Sequence, residues 1–348
     1  MIFQHVAEAL NPTHCKTYLV HRDRSGTPDQ HEGEGYWRMM DPELAAASVL
    51  MERPDISDVP GARALALTLR EETSSAQEET VGRVTVEERQ ISTSDPEIEM
   101  TVRIYTPVGP LRLRPAVVFF HGGAFVLGDL ESEHPRCLRY SADAGCVVFS
   151  VDYRLAPEYP FPAGPEDCYA ALCWVVEHAG EFAIDQARVA VAGSSAGGAL
   201  AAAVCIMSRD RGGPALALQV LIYPVLDDRM STASMRTFVD TPIWDKRNTD
   251  AMWDQYLTDR AAVSSYAAPA REENLAALPS AYILSAEFDP LRDEAILYAL
   301  RLLQAGVAVE LHQVAGAYHG FDQQVADAAI SRRALSDQIH HLKRFLRT

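Results

Sequence analysis

The chain has no apolar run long enough to cross a bilayer. The longest, Ala196 to Met207, falls well short of the roughly 20 residues a spanning helix needs. Its first residues, MIFQHVAEALNPTHCKTYLVHRDR, lack a basic start followed by an apolar stretch, so no secretory leader is expected. Positive charge is scarce: 31 Lys and Arg stand against 48 Asp and Glu, a net charge of −17. A surface so acidic repels nucleic acid and anionic membrane, which argues against a polyanionic partner. Cysteine pairs in CxxC or zinc-ligand spacing are missing as well. The six present (Cys15, Cys137, Cys146, Cys168, Cys173 and Cys205) fall largely inside apolar or helical runs. Free, mostly buried thiols in a cytoplasmic protein are expected, not three disulfides. Internal repeats and low-complexity blocks are absent.

What is present is an ordinary globular composition, 348 residues with 48% hydrophobic and 23% charged. That is enough for one large α/β domain with an accessory cap, or for two modest domains. Residues 1–39 are polar and turn-rich, an extension of uncertain order; Asp41-Pro42 before an Ala/Leu run reads as a capped helix start. From Val81 onward strands alternate with helices. Strands are expected at 81–91, 99–105, 116–120, 146–151, 189–192, 218–223, 281–285 and 307–314, and helices at 133–144, 165–180, 196–209 and 290–305. Such alternation calls for a mostly parallel sheet flanked by helices. Residues 228–268 interrupt it. There Met252, Trp253, Tyr256 and Leu257 share one helical face, with Trp244 just upstream. This face either packs on the core or lines a pocket beneath a cap; Trp244, Trp253 and Tyr256 are the pocket candidates. The expected division is an extension at 1–39, a helical cap from 40–80 plus 228–268, and a main domain from 81–227 and 269–348.

One motif carries chemistry. Gly193-Ser194-Ser195-Ala196-Gly197, followed by Gly198, would occur by chance in roughly one chain in ten of this length. Its setting is more specific: an apolar strand precedes it and a small-residue helix follows, the strand–turn–helix that a nucleophile elbow needs. A serine hydroxyl there sits at a helix N-terminus, where positive potential favours a developing oxyanion. Upstream, His121-Gly122-Gly123-Ala124 follows the 116–120 strand directly. No Gly-Lys-Ser/Thr and no Gly-x-Gly-x-x-Gly comes after it, which disfavours phosphate cradling. The backbone N–H groups of Gly122, Gly123 and Ala196 are therefore candidate oxyanion donors. His121, which precedes the serine, reads as a loop-ordering hydrogen-bonder.

A serine needs a base and the base needs an acid. Four histidines follow Ser195: His312 falls inside a strand, and His340 and His341 on a terminal helix, where a solvated face accounts for them. His319, in a loop just past the last strand, is the candidate base. Asp289, at a strand-to-helix junction before Pro290, is the candidate acid, with a plain helix N-cap as the alternative reading. Glu287 is its rival, and Asp293 and Glu294 suit the dipole of the helix that follows.

Together these residues resemble the hormone-sensitive-lipase-like (bacterial family IV) carboxylesterases of the α/β-hydrolase superfamily. The matching motifs are His121-Gly122-Gly123-Ala124-Phe125, Asp152 to Glu158, Gly193 to Gly198, Asp289 to Glu294 and His319-Gly320-Phe321. The resemblance implies an α/β-hydrolase fold with an eight-stranded, mostly parallel sheet and a helical cap. It also implies no cofactor, a small-molecule ester of short to medium acyl chain as substrate, and a homodimer as one permitted state. Ser194 departs from the family, whose elbow often carries an acid there, and residues before Pro42 have no familiar counterpart. A lactonase or amidase with the same triad is an alternative, as is a non-catalytic receptor on this fold. Asp152 to Glu158 reads as architecture.

Overall fold

The computed structural model describes residues 39–73, 82–93, 95, 97–110 and 112–346. Residues 1–38 of the extension expected at 1–39, with Cys15 among them, and the segment 74–81 lie outside them. The first helix, α1 (Pro42–Ser48), starts as its sequence suggests: Asp41 Oδ1 accepts from the N–H of Glu43 at 3.0 Å, with Pro42 in the first turn. Helix α2 (Val59–Thr73) follows. Then come β1 (Val84–Ser92), β2 (Glu99–Pro107) and β3 (Arg114–Phe120). Helix α3 (His134–Arg139) runs on through a π turn over Tyr140–Ala144 into β4 (Val147–Val151).

From there strand and helix alternate: α4 (Ala163–Glu177), β5 (Ile184–Ser194), α5 (Ala196–Asp210) and β6 (Leu218–Ile222). The interruption expected at 228–268 holds two helices, α6 (Ala233–Thr237) and α7 (Lys246–Tyr256). The alternation resumes with β7 (Ser280–Phe288), α8 (Arg292–Gln304) and β8 (Val309–Tyr318). Short α9 (Phe321–Gln324) and long α10 (Ala329–Phe345) close the described chain.

The eight strands form one sheet in the order β1-β2-β4-β3-β5-β6-β7-β8. β1 and β2 are antiparallel to each other, and β2 to β4; every pairing from β4 through β8 is parallel. A parallel sheet must be covered on both faces, because its crossover helices pack there. Strand β3 shows the result: Ala116, Val118 and Phe120 enter one apolar core, Val117 and Phe119 the other, and all five are wholly buried. Parallel strands also bring their carboxyl ends to one edge. β3, β5, β7 and β8 all end there, and the residues singled out from the sequence follow those ends.

Segments distant in sequence meet over this edge. Arg53 donates to Asp245 and to the carbonyl of Thr241, both at 3.1 Å, and Asn248 accepts from Ile56 N–H at 3.1 Å. Arg63 on α2 reaches the carbonyls of Val126 and Ala156 and pairs with Glu158. The helical face read from Met252, Trp253, Tyr256 and Leu257 is buried as a unit.

Candidate active site

Strand β5 ends at Ser194 and α5 begins at Ala196, so the whole reversal falls on Ser195, whose backbone takes φ 55°, ψ −117°. A non-glycine residue at positive φ is held there only by its surroundings. Here β6 supplies them: Ser195 N–H donates to the carbonyl of Ile222 at 2.8 Å, and Val225 N–H to that of Ser195 at 3.1 Å. The approach of α5 to the sheet requires glycine, since a Cβ on Gly197 would stand 2.0 Å from the carbonyl oxygen of Phe120. As the first residue of α5, Ala196 has an N–H that no intrahelical carbonyl can accept.

The structure brings Ser195, His319 and Asp289 together. Ser195 Oγ lies 2.9 Å from His319 Nε2, and His319 Nδ1 lies 2.7 Å from Asp289 Oδ2. Serine and histidine are 9% and 5% exposed, and the aspartate is fully buried. The plain N-cap reading of Asp289 is corrected: the N-cap position falls on Leu291, with no side-chain cap, and the other oxygen of Asp289, Oδ1, closes the preceding turn by accepting from Leu291 N–H at 2.9 Å. One carboxylate thus serves the ring and the turn before the following helix, which begins at Arg292, slightly later than the sequence suggests.

Glu287 does not reach His319. It is pinned on the N–H of Gly316 at 2.7 Å, inside β8 and two residues before that strand ends. Asp293 accepts from Ser234 N–H at 2.7 Å. Glu294 falls in the first turn of α8, as expected, but it is buried there, accepts from Leu226 N–H at 2.6 Å, and burial pushes its carboxyl well above the ordinary range. His341 also corrects the expectation of a solvated face. It is 1% exposed, with Nδ1 3.3 Å from Glu310, while His340 is exposed. His312 lies in β8, 2.9 Å from Glu310.

His121 orders its loop, as its position suggests. Its ring stacks on Tyr153 with centroids 4.3 Å apart, and the Tyr153 hydroxyl donates to its carbonyl at 2.8 Å. The next residue, Gly122, passes so close to the elbow that a Cβ would meet Ser194 Oγ at 2.9 Å and Ser195 Cβ at 3.4 Å. Gly123 sits at φ +123°, and its carbonyl accepts from Val126 and Leu127. Arg154 pairs with buried Asp167 at 2.7 Å, consistent with an architectural role for the Asp152 to Glu158 stretch.

The three aromatics separate. Trp244 lies beside the histidine, ring centroids 5.9 Å apart. Trp253 and Tyr256 pack instead on Phe125, Tyr256 stacked on it at 3.8 Å. Sequence reasoning missed a buried polar group next to the elbow. Ser194 Oγ donates to Glu133, which Arg136 also engages, and Arg136 reaches Asp322, just past His319. Burial opposes charge on Arg136, but Asp322 and Glu133 outweigh it and hold the guanidinium firmly ionised. Burial raises the Glu133 carboxyl despite Arg136 and Ser194. Tyr223 was also missed; its ring meets the His319 ring edge-on at 4.8 Å.

A buried Ser–His–Asp relay beside a glycine loop, at the carboxyl edge of a mostly parallel sheet, defines a serine hydrolase class, and comparison with known proteins narrows it. Residues 117–323 match the model of a family described by its alpha/beta hydrolase fold. The esterase LipI of Mycobacterium tuberculosis is 41% identical over 242 residues, covering 65% of this chain and 76% of that protein. The carboxylesterase NlhH of the same species is 41% identical over 241 residues, covering 68% and 75%. Among solved structures, a bacterial heroin esterase superposes with a TM-score of 0.86 at 42% identity, covering 90% of this chain and 99% of that one. The chain belongs to the hormone-sensitive-lipase-like branch of the α/β-hydrolase family.

Proposed function

We propose that the chain hydrolyses short- to medium-chain acyl esters through an acyl-enzyme on Ser195. That it is a carboxylic ester hydrolase follows from its homology to curated esterases. The relay from Ser195 Oγ to His319 Nε2 at 2.9 Å and from His319 Nδ1 to Asp289 at 2.7 Å carries the mechanism. Ser195 Oγ attacks the ester carbonyl while His319 Nε2 takes its proton, and Asp289 holds the ring and stabilises the imidazolium. The negative oxygen of the tetrahedral intermediate is received by the N–H groups of Gly122, Gly123 and Ala196. The imidazolium then protonates the departing alcohol, and water repeats the sequence to free the acid and restore the serine.

Residues 40–73 and 228–268 serve as the cap in this reading, supported by the Arg53–Asp245 and Asn248–Ile56 contacts that join the two segments. Trp244 borders the substrate beside His319. Free buried thiols support a cytoplasmic setting. Among the described residues no helix is long and apolar enough to cross a membrane.

The test is hydrolysis of p-nitrophenyl esters from acetate to laurate by the wild type and by Ser195→Ala. Turnover that falls from butyrate to laurate, with a loss of about 10⁶ in the variant, is expected. A wild type that is folded yet inert at every chain length would overturn the reading. A rate that rises with chain length on emulsions would overturn its acyl preference.

A further inference from the structure

The ions next to the elbow have no task in the relay, yet both ends of their network finish on it. Glu133 accepts from Ser194, the residue before the nucleophile, and from Arg136 Nε at 2.8 Å. Arg136 Nη1 donates to Asp322 Oδ2 at 3.1 Å and to Gln338 Oε1 at 2.7 Å. The other oxygen of Asp322 accepts from the Tyr223 hydroxyl at 2.7 Å, and the Tyr223 ring lies against His319. The side chains of Glu133, Arg136 and Asp322 are 1%, 6% and 1% exposed. Buried ions of this kind are often replaced by apolar residues at no loss of stability, so stability alone is a weak reason for them.

Geometry supplies a stronger one. Ser195 sits at a strained reversal and His319 on a loop, and neither regular element alone fixes the distance between them. A guanidinium is a rigid planar fork whose Nε and Nη edges hold two acceptors at a set angle. We propose that Arg136 is a positioning residue for ester hydrolysis. Through Glu133 and Ser194 on one side, and Asp322 and Tyr223 on the other, it sets the register between Ser195 and His319. This rests on the assignment of those two residues as nucleophile and base. It also accounts for a neutral residue at position 194, where a carboxylate would face that of Glu133.

The experiment cuts the network at its two ends, away from the ions. Ser194→Ala, Tyr223→Phe and the double variant are assayed on p-nitrophenyl butyrate. Reactive serines are counted with a chromogenic organophosphate, and melting is recorded. Tyr223→Phe keeps the ring against His319 and removes only the hydroxyl. Each single variant should lower kcat about tenfold, with KM within about twofold and one reactive serine per chain. The double variant should lose little more than either single one, because both cut the same link; independent effects would multiply to about a hundredfold. Arg136→Lys, which keeps the charge but not the fork, should match them. Singles within twofold of wild-type kcat, or losses that multiply in full, would overturn the proposal. An inactive wild type, or an active Ser195→Ala, would instead remove the hydrolytic reading beneath it.

Discussion

Adding one methyl group at Gly122 tests the oxyanion assignment while leaving the side chains of Ser195, His319 and Asp289 unsubstituted. A Cβ built there stands 2.9 Å from Ser194 Oγ and 3.1 Å from the Ser194 carbonyl oxygen, where comfortable contact begins near 3.4 Å. Ser194 Oγ is bonded to buried Glu133 and is not free to swing aside. The loop must therefore yield, by about 0.5 Å at the closer contact, the difference between 2.9 and 3.4 Å. Losing an oxyanion donor outright costs ~10²–10³ in kcat. A displaced donor retains part of its hydrogen bond, so Gly122→Ala should lower kcat by about 10- to 100-fold. KM should change far less, because the donor acts on charge that develops only in the transition state. Steady-state kinetics on p-nitrophenyl butyrate, with melting as a control for folding, measures this. A variant with kcat within twofold of wild type would refute the placement of Gly122 beside the developing oxyanion.

Two further outcomes follow from the same structure. In Asp289→Asn the amide oxygen can still accept from Leu291 N–H, but its NH₂ then faces His319 Nδ1 and reverses the tautomer. kcat should fall about 10⁴-fold with melting little changed, and a loss below tenfold would refute Asp289 as the acid. For Glu294, burial raises the carboxyl far above its ordinary 4.5, so the folded chain keeps a proton that the unfolded chain releases. Its contribution therefore falls as pH rises from about 4.5 towards the raised value. Glu294→Gln keeps an acceptor for Leu226, and denaturant unfolding at pH 5 and pH 8 should show it losing less stability than wild type. Equal losses would refute the buried, protonated state.

The features legible in the sequence are those whose physics is local. Strands β3 to β7 announce themselves as short apolar runs because a sheet covered on both faces tolerates little else. Ser195 is readable because the elbow needs glycines on either side, and His319 and Asp289 because strand ends followed by loops or helix starts confine where a base and an acid can stand. What escaped depends on pairing across the chain. Arg136 meets Asp322 and Gln338 from 186 and 202 residues away, and nothing near any of them marks the partner. His341 escaped for a related reason: a histidine among Lys343 and Arg344 resembles a solvated face until β8 packs beneath it with Glu310. Glu287 and Asp289 lie two residues apart and would share a face of a regular strand; the register shift between Ala286 and Phe288 and the end of β7 at Phe288 separate them.

The backbone of Ser195 has a consequence for how this enzyme can evolve. Its φ of 55° and ψ of −117° suit glycine better than any residue with a side chain, and holding such a conformation typically costs ~1–3 kcal/mol. Ser195→Gly should therefore give a dead protein that melts at or above the wild-type temperature, despite losing its hydrogen bond to His319. At this position heat resistance and reactivity pull in opposite directions. A lineage screened for durability alone would be free to surrender Ser195 first, leaving a sound scaffold without the hydroxyl of the proposed nucleophile.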